Sequence, residues 1–137
     1  YLRYADLRYA NLAGADLSGI DLTEIVFEGA NLTGANLQNS DLSGVNLNKA
    51  DLRRANLKRA DLNHARLQEA ILSDLSLSQT NLQSADLQNA DLSGADLHGG
   101  NHCYSATNIA GANFIGAKLP RGFPYVEDAR GRHLIRF

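Results

Sequence analysis

The 137-residue chain has a single cysteine and two prolines, and it lacks methionine and tryptophan altogether. One cysteine excludes a disulfide framework within the chain and leaves the redox compartment open. No apolar run approaches the roughly 18–20 residues of a membrane span. An excess of charge of one sign is missing too: 13 basic against 15 acidic side chains leave a net charge of −2. That balance argues against a general binder of nucleic acid or anionic membranes. No glycine loop is spaced to cradle a phosphate, and no nucleophile, base and orienting group stand in a recognisable arrangement. An enzyme is therefore not expected, and neither is a cofactor. The length suits one domain. The chain opens on Tyr1 in the middle of a pattern, which points to a processed or cut-down product, so a missing signal peptide carries no information. A soluble, cytoplasmic protein is the working expectation, with export left open.

What the chain has is a period of five. Starting at Leu2, an apolar residue recurs at Leu7, Leu12, Leu17, Leu22, Phe27, Leu32, Leu37, Leu42, Leu47, Leu52, Leu57, Leu62, Leu67, Leu72, Leu77, Leu82, Leu87, Leu92 and Leu97. The series shifts by two residues near 98–103 and resumes at Tyr104, Ile109, Phe114 and Leu119. From Leu7 onward, Asp or Asn precedes 17 of these 23 centres, and Ala stands two before 15 of them. On an α-helix, five steps of about 100° spread successive leucines over all faces. On a strand an odd period alternates them between the two sides. The pattern works only if the chain turns once per repeat and re-aims each leucine at a common axis. Nine of the twelve glycines stand two residues after a centre. That is the third position of a turn begun at the centre, where type II geometry needs a positive φ. Short extended segments joined by tight turns are expected, with no helix before residue 120.

The units Ala-(Asp/Asn)-Leu-x-x, as in Ala5-Asp6-Leu7 and Ala35-Asn36-Leu37, resemble the pentapeptide repeat family over residues 1–119. The resemblance implies an all-β fold, a right-handed quadrilateral β-helix with four repeats per coil and about six coils. It also implies that the centre residue and the residue two before it point inward. Larger residues in the alanine row, Ile20, Ile25, Val45 and Leu75, should locally widen or distort a coil. With twenty residues per coil, Arg8 falls beside Glu28, Lys49 beside Glu69, Arg54 beside Asp74 and Arg66 beside Asp86. Exposed pairs of this kind are worth about 0–1 kcal/mol each.

Other outward groups carry weaker signals. The basic run Lys49, Arg53, Arg54, Lys58 and Arg59 wraps one coil without aromatic interleaving and reads as solvated surface, with a phosphate or acidic-partner contact as the rival. Asp21, Asp41 and Asp61 would stack on one face, where their carboxylates must be tied to backbone donors, attract cations or have raised pKa values. A flat ladder does not supply the convergent oxygens of a calcium site. His98, His102 and Cys103 gather at the register shift, beside the glycine pair Gly99-Gly100. They read as a loop rather than a metal cage, since a zinc site needs three or four protein ligands. No metal is expected.

Residues 120–137 leave the repeat and supply Phe123, Tyr125, Val126, Leu134, Ile135 and Phe137. A solenoid end must be covered, so this tail reads as a C-terminal cap, with dimerisation through that end as the rival. The chain is thus expected to be a monomer or such a dimer. Tyr4, Tyr9, Arg3 and Arg8 form the most interface-like outward group, because Tyr and Arg are enriched at binding hot spots. The functional expectation is a non-catalytic structural and protein-interaction scaffold, without direct nucleic-acid or membrane binding. The alternative follows from the resemblance: some members of the family mimic DNA and bind DNA gyrase. Residues 1–119 carry only 13 acidic against 9 basic side chains. A duplex ~30 Å long would carry on the order of 18 negative charges, so mimicry is disfavoured. The regular repeat style is similar to that of cyanobacterial and plastid members.

Overall fold

The computed structural model describes residues 2, 4–98, 107–119 and, as backbone, 125–127 and 133–135. Its architecture follows from where five backbone N–H groups per repeat find acceptors. Residues 35–39 show the scheme. Ala35 N–H donates to the Leu32 carbonyl at 2.9 Å and closes the preceding turn. Asn36 N–H reaches back one coil to the Ala15 carbonyl at 2.9 Å. Leu37 and Asn39 N–H reach forward one coil to the carbonyls of Asn56 and Lys58, at 2.9 and 3.0 Å. The fifth, Gln38 N–H, has no carbonyl to meet and donates to the side-chain Oδ1 of Asn36 at 3.2 Å. Every Asp or Asn directly before a described centre accepts the N–H two residues on in this way. A buried N–H without a partner is costly, so the chemistry of that position is set by the backbone and not by the surface.

The residues before the centres pair as parallel bridges with counterparts twenty residues on, for example Asp16 with Asn36 and Asn36 with Asn56, with Asn56 and Ser76 as an exception. One coil is therefore twenty residues and four repeats. Beyond the register shift the offset becomes 22, as in Asp86 with Asn108 and Asp96 with Lys118. Two further strands, β1 (Tyr125–Glu127) and β2 (His133–Ile135), form an antiparallel pair with Val126 opposite Leu134. Among the described residues there is no helix, and none long and apolar enough to cross a membrane.

The centres from Leu17 to Leu97 are buried, as are Ile109 and Phe114, and with the alanine row they form one continuous core. Each buried leucine contributes about 1.5–3 kcal/mol. Three centres expected in the core are only partly buried: Leu7, Leu12 and Leu119. They lie in the first and last described coils, which have a neighbour on one side only. Tyr104 lies outside the described residues. Polar residues in the alanine row are buried by donating to carbonyls, Ser40 to Leu37 of its own coil at 2.6 Å and Thr80 to Leu57 of the preceding coil at 3.0 Å.

The oversized residues of that row behave differently from one another. Ile25 and Val45 are buried and keep their turn bonds at 3.1 and 3.2 Å. Ile20, on the first coil, is 38% exposed. Leu75 is buried, but its turn bond to Leu72 is lost, and the ladder between residues 54–59 and 73–78 opens beside it. Leu72→Ala should cost about 2–5 kcal/mol. Leu75→Ala should cost less than half as much, because the turn and ladder bonds it allows to re-form return about 0.5–1.5 kcal/mol each. Urea unfolding of the two variants checks the contrast.

Candidate functional site

The outward surface has two kinds of position. Residues one after a centre lie beside the bridge row, while residues two after a centre occupy corners, with φ near +60° at all described corners except Glu24. Among the described residues, twelve non-glycine residues hold that conformation, including Tyr4, Tyr9, Lys49, Arg54, Arg59, His64, Glu69 and Asp74. L-residues enter the left-handed region at a cost of roughly 1–2 kcal/mol each. At Tyr9, Asn39, Lys49, His64, Glu69, Asp74 and Asn89 the corner N–H is bonded to a carbonyl of the next coil. In exchange the corner side chain is carried over the corner of the following coil. The Tyr9 ring lies directly over Gly29, the Asp74 carboxylate over Gly94 and the Asn89 amide over Gly111, each where a Cβ would otherwise stand.

Tyr4 and Tyr9 are each 73% exposed. The Glu24 carboxylate raises the Tyr4 hydroxyl above the ordinary phenol range, first by hydrogen bonding and then by its charge. Arg8 does not pair with Glu28 as its place in the coil suggested. It forms a two-pronged bond to Asp6, two residues away, with Nη2 at 2.6 Å and Nε at 2.9 Å. Arg53 grips Asp51 in the same way, at 2.5 and 2.9 Å. The residue after a centre sits over the carboxylate before it, so the intra-repeat partner is closer than any residue of the next coil. Arg3, Phe123 and Phe137 lie outside the described residues. Tyr125 and Leu134 are placed on β1 and β2.

Of the other expected pairs, Lys49 meets Glu69 at 3.9 Å. Arg54 and Asp74 make no ion pair, because the carboxylate is turned onto Gly94. Arg66 and Asp86 make none either: Asp86 accepts from Gln68 at 2.7 Å, Asn108 at 2.9 Å and the Gln88 N–H. Asp21, Asp41 and Asp61 do stack as bridge partners, and each takes the backbone N–H two residues on, at 3.1, 3.0 and 2.9 Å. His98 bonds Asp96 through its N–H at 3.0 Å and its ring Nδ1 at 3.2 Å. His102, Cys103 and the glycine pair lie outside the described residues. Among those described, no three metal-type side chains converge. One residue that sequence reasoning missed is Asn48, whose buried Oδ1 accepts the Gln68 N–H at 3.0 Å. The signal was Arg66, which occupies the position where Asp or Asn would have accepted that N–H.

The Arg53 guanidinium holds the Asp51 carboxyl below its ordinary range, the Arg8 guanidinium does the same for Asp6, and the Ser18 hydroxyl for Asp16. A carboxyl depressed in the folded state stabilises it above the unfolded pKa, and that contribution is lost as pH falls through the folded value. The urea midpoint should therefore fall on going from neutral pH to below about 4. The drop should be smaller in Asp51→Asn. A second expectation concerns the corner stack. Gly29→Ala and Gly34→Ala both place a Cβ at positive φ, but only Gly29 has a ring above it. Gly29→Ala should be the more destabilising, and Tyr9→Ala should bring the two to the same level in thermal melts.

In comparison with known sequences, the family model for pentapeptide repeats matches in eight copies, over residues 1–37, 20–59, 35–74 and 60–99. No curated protein matches the chain in sequence. Among solved structures, a pentapeptide repeat protein of the cyanobacterium Nostoc is 32% identical, covering 82% of this chain and 85% of that one, with a TM-score of 0.35. HetL, a Nostoc pentapeptide repeat protein involved in heterocyst differentiation regulation, is 26% identical over 94% of this chain, with a TM-score of 0.32. This chain spans 62% of the length of HetL. A pentapeptide repeat protein of the Arabidopsis thaliana thylakoid lumen is 26% identical, covering 88% of this chain and 68% of its own, with a TM-score of 0.31. The bond scheme that repeats every five residues and the matches over residues 1–99 lead to one assignment: the chain belongs to the pentapeptide repeat family, a family of β-helical solenoids.

Proposed function

We propose that the chain is a non-catalytic scaffold that docks another protein on its outer surface, as a right-handed solenoid of about six coils over residues 1–119. Residues 120–137 serve as its C-terminal cap, with dimerisation through that end as the rival role. The observation that carries the reading is the corner geometry: large side chains such as Tyr9 are held in one conformation over the next coil while staying exposed. A side chain already ordered loses little freedom on binding, which raises affinity for a given contact area. Tyr4 and Tyr9 stand on adjacent corners with Arg8 between them, the residue types that dominate interface energetics. Gyrase binding through DNA mimicry remains the weaker alternative, since the arginines that pair with Asp6 and Asp51 remove charge from the surface that would have to imitate a phosphate backbone.

The test compares the wild-type chain with a Tyr4→Ala/Tyr9→Ala variant in cross-linking and affinity capture from a cell extract, with the far-ultraviolet circular dichroism of both recorded. A partner held by the wild type and reduced at least tenfold in the variant, at unchanged fold, supports the reading. A partner retained equally by the variant moves the docking surface elsewhere, and inhibition of gyrase supercoiling would favour the alternative.

A further inference from the structure

Residues 71–76 depart from the repeat three times in succession. Ile71 and Ser76 stand where Asp or Asn usually precedes the centre, and Leu75 stands in the alanine row. Each departure removes a bond. Without an acceptor at position 71, the Ser73 N–H has no side-chain oxygen two residues back, unlike the Ser93 N–H, which donates to Asp91 at 3.0 Å. With leucine at 75 the adjacent coils part. Asn36 is bridged to Asn56 and Ser76 to Asp96, but Asn56 and Ser76 are not bridged to each other. As a result the backbone N–H groups of Arg54, Leu57, Ser73 and Ser76 meet no acceptor among the described residues.

A cleft of about 450 Å³ lies at the corner of this seam, lined by Thr33, Arg53, Arg54, Ser73 and Asp74. Thr33 is engaged by Asn31, and Arg53 by Asp51. The Asp74 carboxylate is turned onto Gly94. Arg54 and Ser73 remain: among the described residues the guanidinium has no ion pair and the hydroxyl no hydrogen-bond partner. We propose that this cleft binds a small oxyanion, a phosphate or a carboxylate, through the Arg54 guanidinium, the Ser73 hydroxyl and the N–H groups of both residues. An oxyanion supplies what these donors lack, namely several acceptor lone pairs around one negative charge. Backbone N–H groups beside a cation form anion-binding concavities elsewhere in proteins. The cleft volume falls within the range of small-molecule sites, roughly 300–1,000 Å³. This site is independent of the protein-docking reading and lies on a different corner from Tyr4 and Tyr9.

The experiment is an amide chemical-shift titration of the ¹⁵N-labelled chain with inorganic phosphate, with sodium chloride at matched ionic strength as control and acetate as the carboxylate arm. Saturable shifts at Arg54 and Ser73 that chloride does not produce are expected, and the stronger of phosphate and acetate identifies the ligand class. Arg54→Gln should weaken binding at least tenfold. Leu75→Ala touches no charge and introduces the residue that is the rule in its row. It should slow amide exchange at Leu57 and Ser76 as the seam closes, and weaken binding at least tenfold. Absence of saturable shifts in the wild type overturns the site. So does undiminished binding in Arg54→Gln, a variant that leaves the backbone unaltered. A Leu75→Ala chain that shows slowed exchange yet binds as the wild type does would also overturn it.

Discussion

The structure depends on one constraint: each five-residue repeat must find acceptors for five backbone N–H groups without a long strand to pair them. Three are met by neighbouring coils and one by the turn, and the fifth is met only by a side chain. That last bond explains why Asp or Asn precedes most centres, and it fixes the register in which leucine can follow. Once the register is set, the alanine row follows from the narrow axis. The family's sequence pattern is thus a list of hydrogen-bond acceptors and inward volumes.

The same scheme controls the surface. Most described corner residues stand at positive φ, and at Tyr9, Asp74 and Asn89 the side chain is laid over the coil that follows. The short lever between the positions before and after a centre favours ion pairs within a repeat, as in Asp6–Arg8 and Asp51–Arg53. These pairs neutralise charge locally, while the corner tyrosines Tyr4 and Tyr9 stay exposed. The seam at Leu75 is the counterpart inside the solenoid, where departures from the pattern leave donors without acceptors.

The five-residue period, the aim of the centres at one axis and the positive-φ glycine corners were legible in the sequence, because each rests on local geometry repeated many times, while the inward alanine row came from the resemblance to the family. The cross-coil charge pairs were legible only in part. Folding the sequence into rows of twenty brought Lys49 to Glu69, but it could not show that Arg8 prefers Asp6, or that Asp74 is drawn onto Gly94. Those outcomes depend on side-chain reach and on whether the next corner is a glycine. The sequence also marked Ile20, Ile25, Val45 and Leu75 as oversized. Of the three that are buried, only Leu75 lies beside an opened ladder, and it alone has Ile71 before it and Ser76 after it.

The corners have a consequence for substitution. Tyrosine, lysine, arginine, histidine, glutamate, aspartate, glutamine, serine and asparagine all occupy the same backbone conformation in this one chain. None of them is β-branched, and within that limit a single substitution at a corner changes the outer surface while leaving in place the acceptors and inward residues that set the fold.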